Sequence, residues 1–343
     1  MTDSFLNTLK ALCALNGTSG REDAVRAHLI DRVNNHCDYH VDALGNLICR
    51  VLGKRRAKNT VMLSAHMDEV GFMITDVTKD GDLRFDAVGG IDKKVVCGKA
   101  VTVGDRAVHG VIGVKPIHLT DKADSGKVPE LDELFIDIGA ASKEEAQQFA
   151  QVGDAAYFQS EWRDLGEHKV KMKALDDRFG CAVLLNLIER TPAVDCTVAF
   201  LVQEEVGLRG AGPAAFQVRP DAALILETTT AADVAGVSGA ETVCHLGGGA
   251  VVPFMDRSTV YDRALFQTAF DCAKQAGIPV QTKTRVAGGN DAGAIHKSCA
   301  GVRVLNVSLP CRYLHSASTV ADKRDMDACI ALCDALLPVL ADA

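Results

Sequence analysis

The stretch Leu201–Gly207, LVQEEVG, sets Glu204 and Glu205 directly behind the apolar run TVAFLV. Successive residues of a strand face opposite sides, so two unpaired acids at the end of a core strand are costly on both. The pattern recurs along the chain. His66 and Asp68 follow TVMLSA, Glu227 follows AALIL, His315 lies in YLHSAS beyond VRVLNVSL, and Asp176 and Asp177 stand in ALDDRFG ahead of a helix. Parallel sheets gather ligands beyond the carboxyl ends of their strands, and five segments deliver two imidazoles and several carboxylates to that edge. Imidazole and carboxylate without thiolate form a donor set for zinc, cobalt or manganese. One catalytic metal takes three protein ligands. The surplus fits two metals bridged by one carboxylate, each holding one histidine and one further acid. Asp68, two residues past His66 on extended chain, is placed to orient its imidazole. Neighbouring glutamates diverge, so one can ligate while the other serves as general base.

The elements that position these residues are legible from periodicity. FLNTLKALCAL has helical spacing, and TSGREDAVRAHLIDRV restarts a helix with Ser19 as N-cap and Glu22 three residues on, a capping box. The apolar runs NLICRVL, TVMLSA, TVAFLV, AALILE and GVRVLNVSL alternate with the helices DRFGCAVLLNLIER and RALFQTAFDCAKQAG. This predicts an α/β fold with a mostly parallel buried sheet flanked by helices. Residues 70–167 differ, being rich in Gly, Val and Asp with short β-like runs such as GFMITDV, KAVTVG and ELFIDIGA. They read as an inserted all-β barrel or sandwich. The expected organisation is a catalytic α/β domain over 1–69 and 168–343, interrupted by that insertion.

Composition excludes several classes. A net charge of -8 without basic runs argues against nucleic acid or an anionic membrane as partner. The N-terminus lacks the basic and apolar regions of a signal peptide, so the expected location is cytoplasmic. The 12 cysteines form no CxxC pair and read as reduced core residues. His28, His36, His40, His109, His118, His168 and His245 read as ordinary polar groups. RVAGGNDAGAIH, Arg285–His296, reads either as a glycine turn with an N-cap or as a substrate-facing loop. LGGGA lacks the Lys-Ser/Thr ending of a phosphate loop.

With those residues in view, the sequence resembles the tetrahedral aminopeptidase family of dinuclear metallo-aminopeptidases, which includes glutamyl aminopeptidases and proteins labelled endoglucanase. The matching stretches are SAHMDEVGFM, GVIGVKP, IDIGA, ALDDRFGC, QEEVGLRGA, ETTTAADV, GGNDAGAIH and RYLHSAS, in the family's order over nearly the whole chain. The resemblance implies two divalent ions, zinc or cobalt with manganese as an alternative. Asp176 would bridge them, His66 and Glu227 completing one site and Glu205 and His315 the other, with Glu204 as base and a cis peptide between Asp176 and Asp177. It also implies that the insertion forms dimers and that dimers build a hollow tetrahedral dodecamer. Glu227 stands where some members carry Asp, and both can ligate.

The expected function is a cytosolic metallo-aminopeptidase acting on short peptides. Surplus carboxylates, Asp291 among them, would hold the substrate's free α-amine, while Arg257 and Arg285 are candidate contacts to an acidic side chain. The alternatives are a dinuclear deacylase or carboxypeptidase on the same scaffold and, outside enzymes, an inactive assembly protein. A glycosidase would leave His66 and His315 unexplained.

Overall fold

The computed structural model describes residues 2–119 and 126–342. Its large sheet places Asp38–Val41, Leu47–Val51, Cys196–Leu201, Val61–His66, Ala222–Thr230, Arg303–Arg312, Thr319–Asp322, Lys169–Met172 and Arg163–Leu165 side by side in that order. Ala250–Val251 pairs with Arg303–Arg312, and Val280–Gln281 pairs with Ala250–Val251. The four strands from Cys196–Leu201 to Arg303–Arg312 are parallel. Both flanks are antiparallel, so the sheet is mixed where a mostly parallel one was expected. The connections explain this: tight returns at 42–46 and 166–168 leave no room for the crossover that parallel neighbours need.

The apolar runs of the central strands serve two cores. Val61, Leu63 and Ala65 pack on one face and Met62 on the other, and Val198 and Phe200 alternate likewise with Ala199 and Leu201. Leu224 and Leu226 alternate with Ala223 and Ile225. Helices Asp3–Ala14, Asp23–Val33, Leu175–Glu189 and Lys323–Asp342 cover the first face, and Ala211–Val218 and Ala292–Ile295 the second. His66 continues the series of Met62, and Glu227 that of Ala223 and Ile225. Ile225 lies opposite Ser64, so both side chains emerge level on the same face at the strand ends.

Six strands among the described residues close into a barrel, in the order Gly71–Val77, Leu83–Val88, Phe135–Asp137, Val108–Gly113, Ala100–Val103 and Ala155–Phe158. Its interior is apolar and centres on Phe72, which meets Phe85 and Phe158 edge-on with ring centroids 5.0 and 5.1 Å away. The strand Arg163–Leu165 belongs to the large sheet, so the insertion boundary expected at Glu167 falls too late. That hairpin carries no apolar signal of its own, since all three residues of its first strand are exposed.

The expected capping box does not form either. Glu22 is the N-cap residue of Asp23–Val33 without a side-chain cap bond, and the Ser19 hydroxyl donates to Asp68 Oδ2 at 2.6 Å. A buried acid two strands away wins the donor because it has more to lose unpaired.

At the start of Leu175–Glu189, Asp176 and Asp177 are not helical and the peptide between them is cis, as the resemblance implied. What holds this entry is a buried charge cluster. Arg178 is fully buried and donates to the carbonyls of Met67 and Leu12 at 2.7 Å each and of Gly17 at 3.2 Å. Lys173 donates to Glu69 Oε1 and Oε2 at 2.8 and 3.0 Å, and Arg178 lies 3.5 Å from the same carboxylate. Replacing Arg178 by Met takes one donor from each of four carbonyls, those of Leu12, Leu15, Gly17 and Met67, and leaves Glu69 with one cation. Arg178→Met is expected to cost about 3 kcal/mol or more in denaturant unfolding. A loss below about 1 kcal/mol, ordinary for a neutral surface change, would show that the cluster does not hold the helix entry.

Candidate metal centre

His66 ends a central strand with its Nε2 3.3 Å from Asp176 Oδ1 and 3.4 Å from Glu227 Oε1. His315 Nε2 lies 3.3 Å from Asp176 Oδ2 and 3.3 Å from Glu205 Oε2. Asp176 thus offers one oxygen to each histidine. Both rings point Nε2 inward because Nδ1 is occupied: that of His66 lies 3.1 Å from the carbonyl of Asp68, and that of His315 lies 2.6 Å from the carbonyl of Gly90. An Nδ1–H given to a carbonyl leaves the Nε2 lone pair free to ligate. Asp177 is also close, and ligand atoms of His66, Asp177 and Glu227 lie within 4.8 Å of one another, as do those of His66, Asp176 and Glu205.

The donor set fits divalent metal. Ligand bonds of 2.0–2.1 Å in tetrahedral geometry separate ligand atoms by about 3.3–3.4 Å, the spacing found here. Asp176 Oδ1, Asp177 Oδ2, Glu205 Oε1 and Glu227 Oε2 are buried without hydrogen-bond partners, which costs heavily unless a cation supplies the missing charge. Gly180 makes room: a Cβ there would stand 2.3 Å from Asp177 Oδ2 and 2.8 Å from the Ala65 methyl.

Glu204 and Glu205 follow Gln203, whose left-handed backbone (φ 57°) turns the chain at the end of its strand. Asp68 clamps that turn, accepting from the amides of Glu204 at 3.0 Å and Glu205 at 3.1 Å. The glutamates then diverge. Glu205 faces His315, while burial, with Glu227, Asp291 and Glu205 nearby, holds the Glu204 carboxyl well above its ordinary range against the opposing pull of His66. Asp291 is buried beside this cluster with Oδ1 unpartnered, and burial raises its pKa well above the usual value. The loop before it is fastened by Asn290, which donates to Tyr261 at 2.9 Å as Tyr261 donates to Asp256 at 2.7 Å.

The two arginines expected to contact an acidic side chain both lie on the surface. Arg257 is exposed, and Arg285 lies on the surface 3.8 Å from Glu241. Both belong to polar loops, where a long cation gains more from water than from burial. Lys283 is half-buried and donates to the Ala287 carbonyl at 3.4 Å; burial lowers its pKa, with Asp256 and Glu227 among the opposing charges. Nothing in the pattern of QTKTR distinguishes it from its neighbours. Glu69, Lys173, Arg178 and Ser19 were likewise not legible as parts of the site.

The sequence profile of the M42 glutamyl aminopeptidase family matches residues 45–332. A putative aminopeptidase of Acetivibrio thermocellus is 35% identical over 333 residues, spanning 96% of this chain and 97% of its own. The lysyl aminopeptidase of Pyrococcus furiosus is 32% identical over 343 residues, spanning 97% and 96%. Among solved structures, the Pyrococcus horikoshii TET1 peptidase, which can assemble into a tetrahedron or a large octahedral shell, superposes with a TM-score of 0.86. It is 35% identical, over 97% of this chain and 98% of its own.

Without metal, the cluster stores protons. Burial raises Glu205 to about 8 and Glu227 to about 7. Burial would lower His315, but Asp176 and Glu205 outweigh it and raise the ring to about 10. These folded values exceed the unfolded ones, so the folded metal-free protein binds extra protons between pH 4.5 and 10 and loses stability as pH rises through that window. Asp176, held low by His315 and His66 against its burial, acts oppositely below its ordinary 3.8. Divalent metal takes the protons' place and binds better as pH rises. The unfolding midpoint of chelator-treated protein is therefore expected to fall from pH 5 to pH 9, and added zinc or cobalt to restore it most at the alkaline end. A chelated protein no less stable at the alkaline end would sink this reading.

Proposed function

The chain belongs to the M42 glutamyl aminopeptidase family and is a metal-dependent aminopeptidase, and from that premise we propose how its residues divide the work. The observation that carries the proposal is the shared carboxylate: Asp176 presents one oxygen to His66 and the other to His315, each at 3.3 Å. His66 and Glu227 would hold one divalent ion, His315 and Glu205 a second, and Asp176 would serve both. Zinc or cobalt suits these donors, with manganese as the alternative. When bound, the ions polarise the scissile carbonyl and lower the pKa of water. Glu204 takes the proton of the attacking water and delivers it to the leaving amine, and its raised pKa is the direction a base working near neutral pH requires. Asp68 acts on His66 and on the turn that carries Glu204, touching no substrate. A cytosolic location accords with the cysteines, all unpaired among the described residues. No helix among those residues is long and apolar enough to cross a membrane.

The substrate's α-amine is held by the surplus acids, with Asp291 foremost because its buried Oδ1 lacks a partner. Lys283, a half-buried cation that feels the charge of Glu227, favours an acidic first side chain. The barrel serves self-association, supported by exposed apolar residues on one stretch of it, Val111, Val114, Ile117 and Leu119, a patch of the kind that marks interfaces. By analogy with the TET1 peptidase, the assembly is a tetrahedral dodecamer built from dimers.

Glu204→Gln is expected to keep its metal and lose about 10²-fold or more in kcat, whereas Glu205→Gln loses metal; exchanged phenotypes would reverse the two roles. A peptide with a free N-terminus should shorten one residue at a time, faster with Glu than Leu in front, and Lys283→Met should erase that preference. The N-acetylated peptide should stay intact. Its cleavage in a mass-spectrometric time course would point to a deacylase or endopeptidase instead. Ile117→Asp with Leu119→Asp should reduce the particle measured by light scattering, and an unchanged mass would move the contacts off the barrel.

A further inference from the structure

Three consecutive amides at the turn behind the strand Cys196–Leu201 are each given to a buried carboxylate. Gln203 N donates to Glu22 Oε1 at 3.2 Å, Glu204 N to Asp68 Oδ1 at 3.0 Å and Glu205 N to Asp68 Oδ2 at 3.1 Å. A left-handed residue followed by converging amides makes an anion-binding concavity. Here the anions are side chains of the protein itself. Two residues ahead of the family-matched region complete the arrangement. The Ser19 hydroxyl, 7% exposed, donates to Asp68 Oδ2 at 2.6 Å, and Glu22, 3% exposed, also accepts from Gly20 N at 2.8 Å.

This use of Glu22 and Ser19 is not what their own helix needs. Glu22 occupies the N-cap position of Asp23–Val33 but makes no cap hydrogen bond, so its carboxylate leaves the helix's first amides unserved. It instead brings a further carboxylate toward Asp68, whose charge adds to the burial penalty that raises the Glu22 pKa. What it gains is the Gln203 amide, at the residue whose strained φ sets the direction of the next side chain. Past the turn, the amides of Gly207 and Leu208 both donate to the Glu204 carbonyl at 2.9 Å. The Glu204 backbone is therefore fixed from both sides while its carboxylate carries no hydrogen bond that would aim it.

We infer that Ser19 and Glu22 are positioning residues for the hydrolytic step. Through Asp68 and the Gln203 amide they hold the turn that aims the Glu204 carboxylate at the attacking water. The inference rests on the reading of Glu204 as general base. A displacement of about 1 Å at a reacting group can cost 10²-fold in rate, so losing one of these two tethers is placed at about ten-fold.

The test is a kinetic cycle on the full-length metal-loaded enzyme. Ser19→Ala and Glu22→Ala should each lower kcat about ten-fold with KM and metal content unchanged, measured well below the unfolding midpoint of every variant. Ser19→Thr and Glu22→Gln, which keep the donor and the acceptor, should stay within about two-fold of the parent. In a Glu204→Gln background the alanine changes should cause no further loss, because they act through the side chain already disabled. Should Ser19→Ala fold poorly, Ser19→Cys keeps the volume, weakens the donor and should show the same split. Alanine variants with undiminished kcat, losses that track metal content, or losses that persist in the Glu204→Gln background would each overturn the inference. An undiminished Glu204→Gln enzyme would instead overturn the reading beneath it, so the two failures are distinct.

Discussion

The structure depends on how it disposes of buried negative charge at the carboxyl ends of four parallel strands. Asp68, Glu69, Asp176, Asp177, Glu205 and Glu227 all lie there with little or no exposure, and an uncompensated carboxylate in such surroundings is among the costliest groups a fold can hold. The protein compensates two of them completely. Glu69 sits between Lys173 and Arg178, and Asp68 receives a hydroxyl, two amides and an imidazole. The others each keep one oxygen without a hydrogen-bond partner. This partition separates the acids whose charge the protein itself compensates from those that still lack positive charge.

The same partition explains which parts of the site were legible in the sequence. His66, Glu204, Glu205, Glu227 and His315 each follow an apolar run, and Asp176 precedes a strongly apolar helix, so chain position alone puts them at one sheet edge. The compensating groups carry no such mark. Lys173 is one basic residue in KVKMKALDDR, and Arg178 stands at the start of that apolar helix. Their partners, Glu69 and the carbonyls of Leu12, Gly17 and Met67, lie more than a hundred residues away from them in the chain. Propensity and periodicity are local, and pairings of that kind are decided by which donors the folded chain brings within reach.

The misread elements have the same origin. Ser19 and Glu22 have the spacing of a capping box, and locally nothing argues against one; it loses because Asp68 and Gln203 offer those side chains buried partners. The parallel centre of the sheet was legible because residues buried on both faces read as continuous apolar runs. The antiparallel flanks were not, since Asp38–Val41 and Arg163–Leu165 are exposed along their length. Arg257 and Arg285 are exposed while Lys283 is half-buried, a difference that their shared loop composition does not mark.

The barrel enters the chemistry through one carbonyl. Gly90, just past the strand Leu83–Val88, accepts from Nδ1 of His315 at 2.6 Å, which fixes both the tautomer and the direction of a ring whose own backbone is left-handed at φ 56°. The neighbouring Gly89 packs so closely that a Cβ on it would meet Val70 at 2.8 Å and Glu205 at 3.2 Å. One histidine is thus oriented from within the large sheet, by Asp68, and the other from the barrel. A metal site whose two halves are oriented by different structural bodies requires those bodies to keep a fixed relation. Any assembly built through the barrel would then bear on His315 before any other ligand, since that ring alone takes its orienting hydrogen bond from the inserted segment.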